Sequence, residues 1–233
     1  MARANRHYIP GCIWHITHRC HNRDFLFRKN TDRRIWIRWL CEAKERYYFS
    51  ILNYSVTANH IHLLLFDESG RREIPSAMQL IQGRTGQTYN HQNNRKGAFW
   101  EDRYHATAVE SGTHLMNCMI YIDFNMVRAG AVDHPGQWNH CGYNEIIQPR
   151  RKKQLIAYKT LRKLAGFEDY TLFKKIYRSM IEERFNSKDY KREKKWTEGI
   201  AVGSEGFVRA IKNQIQRPSD RKVLFMNDCF ILK

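Results

Sequence analysis

Two short stretches of this 233-residue chain carry residues that could share one chemical task. His60 and His62 flank Ile61, and three leucines follow them. On a β-strand, residues two apart point to the same face about 6–7 Å from each other, so both imidazoles can reach one ion. Imidazole suits divalent transition metals, whereas Mg²⁺ or Mn²⁺ would also want oxygen ligands. A His-x-His pair alone is more often a pair of surface or hydrogen-bonding residues.

The second stretch places Tyr121 and Asn125 four residues apart within residues 112–127, whose apolar residues recur at helical spacing. Such residues lie on one helix face about 6 Å apart. The carboxamide oxygen of Asn125 can then complete an ion site begun by two histidines, with the phenol of Tyr121 beside it. The spacing is equally compatible with Tyr121 as a core aromatic and Asn125 as a cap near the helix end.

These residue types together suit phosphodiester transesterification. A divalent ion polarises the scissile phosphate and offsets the charge that builds on its oxygens. A tyrosyl oxygen attacks and forms a covalent phosphotyrosine, which preserves the bond energy for rejoining. Because the unperturbed phenol pKa is near 10, proton removal needs a metal, a base or basic surroundings. The chain has no Walker-type phosphate-binding loop, so strand transfer would proceed without nucleotide hydrolysis.

Hydrophobic patterning predicts the elements that would position these residues. Strands are predicted at residues 11–19, 50–57, 60–66 and 103–109, and helices at about 31–48, 75–90 and 112–127. The first six elements follow the split βαβ order of ferredoxin-like α+β domains. We therefore expect an antiparallel sheet with helices on one face and a site on the other. The short connection at residues 58–59 indicates a hairpin.

The charge of the chain is unevenly distributed. The net charge is +17, of which residues 1–147 contribute +5 and residues 148–233 contribute +12. A field of this size favours nucleic acid as partner, although a basic surface can also be merely solvated. Composition changes near the basic stretch 148–153, and helical stretches follow at about 154–165, 169–186 and 204–215. The sequence thus predicts a domain at 1–147 and a basic, mainly helical region at 148–233.

Cysteine usage and hydropathy indicate where the protein works. The six cysteines are scattered without a C-x-x-C pair, and no window approaches 18 apolar residues. The first residues also lack the apolar run of a signal peptide. We therefore expect a cytoplasmic protein with reduced thiols and no membrane association.

Four pieces of the sequence resemble the REP-associated tyrosine transposases, a branch of the single-tyrosine HUH transposases. Residues 55–65 (SVTANHIHLLL) resemble the motif of two histidines around a hydrophobic residue, and residues 118–130 (CMIYIDFNMVRAG) resemble the catalytic helix. Residues 15–27 (HITHRCHNRDFLF) and 97–109 (GAFWEDRYHATAV) are similar to flanking motifs. The resemblance covers about residues 7–145. Met126 stands where the family commonly has proline, and Cys20 where it usually has glycine.

The resemblance implies a ferredoxin-like HUH domain and a specific chemistry. It implies Mg²⁺ or Mn²⁺ held by His60, His62 and Asn125, with Tyr121 as the nucleophile that leaves a 5′-phosphotyrosine and a free 3′-OH. The implied substrate is a single-stranded repetitive extragenic palindrome (REP) folded into a hairpin. It further implies a bacterial, nucleoid-associated enzyme that is more often a monomer than a dimer. Candidate DNA contacts in or beside the matched motifs are Arg19, Arg23, Trp100, Arg103 and Arg128.

Alternatives remain open at this stage. The chain could be a domesticated protein that grips hairpin nucleic acid without cutting it; a replication initiator is disfavoured because the chain has no room for a helicase region. The arginines could be ordinary surface or ion-paired residues, and Trp100 could belong to the core. The basic C-terminal region could bind DNA or fold over the active site. We expect deletion of residues 154–233 to weaken DNA affinity without removing the chemistry.

Overall fold

The computed structural model describes residues 9–233 apart from positions 69, 72, 151, 153, 216 and 227. The first two residues of the stretch that resembles the transposases, 7 and 8, lie outside the described residues. So do two basic positions, 151 and 153, of the predicted domain boundary.

Four antiparallel strands form the part of the sheet that the sequence predicted: β1 (Ile13–Arg19), β2 (Ser50–Val56), β3 (His60–Phe66) and β4 (His105–Val109). They lie in the order β2-β3-β1-β4, so β1 pairs with both β3 and β4. Helix α1 (Asn30–Arg46) connects β1 to β2, and α2 (Glu73–Gln92) connects β3 to β4. This arrangement confirms the predicted split βαβ fold of the α+β class.

Local sequence explains where these elements begin and turn. The backbone N–H of Lys29 donates to Oδ2 of Asp32 at 2.8 Å, which satisfies an otherwise unpaired donor at the start of α1. Trp36, Leu40 and Ala43 form the buried stripe of that helix. The predicted hairpin at residues 58–59 is also present, since the Thr57 N–H donates to the His60 carbonyl at 3.0 Å.

The predicted third helix is present in two parts. Helix α3 (Thr113–Asp123) ends at Phe124, and a short helix α4 (Asn125–Arg128) continues from it. At this break the guanidinium of Arg128 donates to the Tyr121 carbonyl at 2.9 Å. Tyr121 therefore lies at the end of α3 and Asn125 at the start of α4, with the i, i+4 spacing retained across the kink.

The C-terminal region contains the predicted helices and, in addition, strands that the sequence analysis did not predict. Helix α5 (Tyr143–Ile147) ends just before this region, whose helices are α6 (Tyr158–Leu164), α7 (Tyr170–Asn186), α8 (Lys195–Glu198) and α9 (Glu205–Gln214). The strands of this region are β5 (Ala201–Gly203), β6 (Val223–Met226) and β7 (Cys229–Leu232). These strands have only three or four residues, too few to show an alternating pattern. Strand β5 pairs in parallel with β4, and β7 and β6 follow, so one seven-stranded sheet crosses the predicted boundary at residue 147.

Helices cover both faces of this sheet, which corrects the expectation of helices on one face only. Along β1, His15 and His18 point to opposite faces. His18 stacks on Trp100, whose indole N–H donates to the Gln82 carbonyl of α2, so α2 covers that face. His15 contacts Tyr121 of α3 and the Trp196 carbonyl of α8 on the other face. The candidate site therefore lies between the sheet and a second helical layer.

None of the helices among the described residues combines the length and apolar character that crossing a bilayer requires. The six cysteines form no disulfide, in agreement with the predicted reduced thiols.

A buried polar cluster fixes α3 against the sheet. The Asp123 carboxyl is 2% exposed, accepts a hydrogen bond from Asn53 Nδ2 of β2 at 3.0 Å, and accepts another from the Tyr177 hydroxyl of α7. Burial raises the pKa of Asp123 to about 7, because an apolar environment disfavours the charged form. The cluster joins β2, α3 and α7, so the C-terminal region helps to hold the helix that carries Tyr121.

This cluster makes stability depend on pH. Between the unfolded pKa of Asp123 and its folded value of about 7, the folded state binds more protons than the unfolded state. The free energy of unfolding should therefore fall as pH rises through this range, by at most about 1.4 kcal/mol per pH unit. In Asp123→Asn this contribution should disappear, which urea denaturation of both proteins across the range will measure. Equal slopes for the two proteins would contradict the raised pKa.

Candidate metal and nucleophile site

The hairpin between β2 and β3 holds His60 with one ring nitrogen turned towards the cleft. His60 Nδ1 lies 2.7 Å from Asn59 Oδ1 and 2.9 Å from Thr57 Oγ1. The amide oxygen of Asn59 can only accept, and the Thr57 hydroxyl already donates to the His60 carbonyl at 2.8 Å. The proton of a neutral His60 therefore sits on Nδ1, which leaves the Nε2 lone pair free. Burial is the main cause that lowers the pKa of His60 to about 4, with Arg19 and Arg128 adding to it.

Asn125 meets both histidines, as the sequence predicted. Its side-chain amide lies 2.8 Å from His62 Nε2 and 3.3 Å from His60 Nε2. In the structure the amide nitrogen faces the two rings, and it donates to the Nε2 lone pair of each. Because amide N and O exchange places by a half-turn about the terminal bond, the same side chain can present its oxygen instead. Three lone-pair donors from a strand and a helix then converge on one point.

The donor set fits a hard divalent cation. Ligands that share an ion at about 2.1 Å and at right angles lie about 3 Å apart, which matches the two observed separations. Two neutral imidazoles and one amide oxygen, with open positions for phosphate or water, suit Mn²⁺ or Mg²⁺. Among the described residues no group of three or more His, Cys, Asp or Glu could hold a metal, so this candidate depends on Asn125.

His15 extends the site beneath the sheet surface, and the sequence analysis gave it no role. Its Nε2 lies 2.9 Å from Nδ1 of His62, and its Nδ1 lies 2.8 Å from the Trp196 carbonyl. The His15 and His62 rings are nearly coplanar, with planes 12° apart and centroids 5.1 Å apart. His15 is fully buried, and desolvation lowers its pKa to about 3. His15 lies on the same side of the sheet as Ile13 and Thr17, opposite Ile16. This alternation along the strand was the signal that could have identified it.

Tyr121 borders the cleft and packs against the buried rings of the site. Its ring lies edge-on to His62 at 5.9 Å and to His15 at 6.2 Å, and Trp196 lies 6.3 Å away. The Arg128 guanidinium stacks over the phenol ring at 4.2 Å. Burial raises the pKa of Tyr121, while the positive charges of Arg128 and Arg192 act in the opposite direction. Tyr121 is thus a buried residue, 5% exposed, whose accessible edge lines the cleft together with Arg128 and Arg192.

One cleft of about 1150 Å³ gathers the predicted residues. It is lined by His60, His62, Tyr121 and Asn125 and by four of the five predicted DNA contacts, namely Arg19, Arg23, Arg103 and Arg128. Arg19 also forms a 3.9 Å ion pair with Glu101. The structure therefore brings both chemical stretches and most of the candidate arginines to one surface.

Trp100 is the predicted DNA contact that the structure does not bring to this cleft. Its ring stacks on His18 with centroids 4.0 Å apart and contacts Phe27 and Phe99, so it belongs to an aromatic cluster under α2.

The neighbouring Cys20, which stands in place of the usual glycine, has φ −64° and needs no special backbone freedom. The loop that carries Arg19 and Arg23 is therefore compatible with cysteine.

The C-terminal region supplies one wall of the cleft, which the sequence left undecided. Arg192, Lys194, Thr197 and Glu198 line it. The Thr107 hydroxyl of β4 lies 2.7 Å from the Gly199 carbonyl and 3.2 Å from the Trp196 carbonyl, which anchors this segment to the sheet. Deletion of residues 154–233 would remove this wall and the Trp196 partner of His15. That such a deletion leaves the chemistry intact stays a prediction, which these contacts disfavour.

Comparisons with known proteins agree with this geometry. The family model described as "Transposase IS200 like" matches residues 8–125, half of the chain. A solved structure of a REP-associated tyrosine transposase bound to a REP hairpin has a TM-score of 0.55 at 21% identity, covering 63% of this chain and 86% of that one. A crystal structure from Deinococcus radiodurans, classed provisionally as a transposase, has a TM-score of 0.35 at 14% identity and covers 55% and 91%. No curated protein sequence matches the chain.

The contact between Arg128 and the phenol gives a direct prediction. In Arg128→Gln the pKa of Tyr121 should rise further, because the buried phenolate loses a cation that stabilises it. Arg128→Lys keeps the charge and should raise the pKa less. Carbon-13 NMR of tyrosine-labelled protein, titrated upward in pH and assigned with Tyr121→Phe, measures both changes. An unchanged or lowered pKa in Arg128→Gln would show that the guanidinium does not act on the phenol.

Proposed function

The chain belongs to the IS200-like transposase family, and we propose that it cleaves and rejoins single-stranded DNA with Tyr121 as the nucleophile. The observation that carries this proposal is the convergence of His60, His62 and Asn125 beside Tyr121 in one cationic cleft. A residue set of this kind has little use in a protein that only binds nucleic acid, whereas each member has a task in phosphodiester transfer.

Tyr121 would carry out the covalent step. Its phenol oxygen forms a bond to the scissile phosphorus while the bond from phosphorus to the 3′ oxygen breaks. The phenol proton passes to water or a base in the cleft, and the leaving 3′ oxygen takes up a proton. The product is a 5′-phosphotyrosine with a free 3′-OH, and attack by that hydroxyl on the phosphotyrosine reverses the step. Arg128 and Arg192 favour the phenolate that attacks.

His60, His62 and Asn125 would hold Mg²⁺ or Mn²⁺ through Nε2, Nε2 and Oδ1. Such a cation, when bound, polarises the scissile phosphate and offsets its developing charge. The chain prepares for this by keeping both imidazoles neutral at physiological pH, since burial lowers the pKa of His60 to about 4 and that of His62 well below its usual value. Neutral rings are required because a protonated imidazole has no lone pair to give.

The proposed substrate is a single-stranded DNA hairpin of the REP type. The solved structure with the same fold is bound to a REP hairpin, and we extend that substrate class to this chain. The charge of the cleft supports a polyanionic strand, since Arg19, Arg23, Arg103, Arg192 and Lys194 all line it. A strand bound there would lie beside Tyr121, which lines the same cleft.

The nucleophile is tested by trapping the covalent adduct. Wild-type protein incubated with a labelled single-stranded REP hairpin and Mn²⁺ should yield an adduct on a denaturing gel, and Tyr121→Phe should yield none. Hairpin affinity should stay nearly unchanged, because Phe keeps the ring that packs against His62 and Trp196.

The matched control is Tyr190→Phe, since Tyr190 lies outside the cleft lining and stacks on Phe124 through its ring. This variant should form the adduct at the wild-type level. An adduct in Tyr121→Phe would overturn the nucleophile assignment. Salt-dependent hairpin binding without an adduct under any divalent ion would instead favour the non-cleaving alternative.

The C-terminal wall is tested by the salt dependence of binding. The double variant Arg192→Ala/Lys194→Ala should weaken hairpin binding. The slope of log affinity against log salt should become shallower by about 1.4, since each phosphate contact to a single strand contributes about 0.7. Fluorescence anisotropy at several salt concentrations measures both quantities.

Lys175→Ala/Arg178→Ala is the matched control, because it removes the same charge from exposed positions of α7 outside the cleft lining. Its slope should change much less than that of the cleft variant. Equal changes for the two double variants would mean that the C-terminal region acts through its overall charge, and the assigned contacts would be wrong.

A further inference from the structure

We propose that His15 is a positioning residue that fixes the tautomer of His62, and that the Trp196 carbonyl of the C-terminal region sets this arrangement. The three groups form a continuous hydrogen-bonded chain from α8 through β1 to the proposed metal ligand on β3. The inference rests on the proposed function, in which His62 Nε2 is a ligand. Trp196 lies beyond the family match at residues 8–125, so this part of the arrangement belongs to the chain's own C-terminal region.

The direction of the chain follows from its far end. The Trp196 carbonyl can only accept a hydrogen bond, and His15 Nδ1 lies 2.8 Å from it. His15 must therefore carry a proton on Nδ1. A neutral His15 then presents a lone pair on Nε2, and His62 Nδ1, 2.9 Å away, must donate to it. His62 consequently keeps its proton on Nδ1 and its lone pair on Nε2, which faces Asn125.

The surroundings of His15 favour the form with a proton on Nδ1 alone. The ring is fully buried, and an apolar interior disfavours the positive charge that a second proton would bring. A doubly protonated His15 would also donate from Nε2 to His62 Nδ1, and a neutral His62 would then have its proton on the nitrogen that faces the proposed ion.

Geometry adds to the tautomer control. The His15 and His62 rings meet edge to edge with planes only 12° apart and centroids 5.1 Å apart, so His15 also limits the tilt of the proposed ligand. Thr107 donates to the Trp196 and Gly199 carbonyls, which holds the end of the chain in place. Partners that orient a metal-bound histidine through its other nitrogen commonly change metal affinity by about 10–100-fold when they are removed.

The tautomer is measured directly on the full-length, metal-free protein. Nitrogen-15 NMR of histidine-labelled protein should show His62 with its proton on Nδ1. In His15→Leu, which keeps much of the bulk but no ring nitrogens, the Nε2–H tautomer should become populated. His15→Gln can donate to the Trp196 carbonyl and accept from His62, and it should restore the wild-type tautomer.

Metal affinity is the second readout. Calorimetric titration with Mn²⁺ alone should give an affinity about 10–100-fold lower for His15→Leu than for wild type, and His15→Gln should recover most of the loss. His140→Leu is the matched control: it removes another buried histidine, whose Nε2 lies 2.9 Å from Asn30 Oδ1 outside the cleft lining, while keeping His15. It should leave the His62 tautomer unchanged, which separates tautomer control from general loosening of the core.

Two results would overturn the inference. One is a wild-type His62 with its proton on Nε2, which can be observed even if a variant fails to fold. The other is a folded His15→Leu that keeps both the wild-type tautomer and the wild-type Mn²⁺ affinity. These measurements need no DNA, so their outcome does not depend on the cleavage test. A protein that forms no covalent adduct with DNA can still show His62 with its proton fixed on Nδ1.

Discussion

The candidate site depends on one contact between distant parts of the chain: the Asn125 amide at 2.8 and 3.3 Å from the Nε2 atoms of His62 and His60. A strand hairpin and the end of a helix must meet within hydrogen-bonding distance, and further contacts hold each of them in place. Asn59 and Thr57 orient His60 on one side. The shared burial of these groups keeps the imidazoles neutral, so the same packing that positions them also prepares them chemically.

The helix that carries Tyr121 and Asn125 is held by polar contacts that the hydrophobic pattern alone would not require. Asp123, in the last turn of α3, joins Asn53 and Tyr177. Arg128 donates to the Tyr121 carbonyl where α3 and α4 meet and covers the phenol ring. Buried polar groups of this kind fix a unique arrangement when all partners are present, because an unmatched alternative leaves a polar group without a partner. This constraint explains how Tyr121, the proposed nucleophile, is held at a defined position near the break between α3 and α4.

The C-terminal region is part of the same structure rather than an addition to it. Strands β5, β7 and β6 continue the sheet, Tyr177 holds α3, and Trp196 contacts both His15 and Tyr121. The strong positive charge of residues 148–233 also comes to the cleft through Arg192 and Lys194. The region thus contributes to folding, to the surroundings of Tyr121 and to the positive charge of the cleft, three tasks that a separable tail could not perform together.

The sequence by itself determined the split βαβ order, the α+β class, and the presence of a His-x-His strand and a Tyr-x-x-x-Asn helix, because periods of 2 and 3.6 residues and short motifs are local properties. It could not determine that α3 and α8 lie on the histidine face, since the pattern of one element does not show which face a distant helix covers. His15 read as one more residue of an alternating strand, and Trp100 as either a DNA-stacking or a core residue. The strands of three or four residues depend on contacts that exist only in the folded chain. So does the tautomer of the buried His15, which is set by the Trp196 carbonyl 181 positions away.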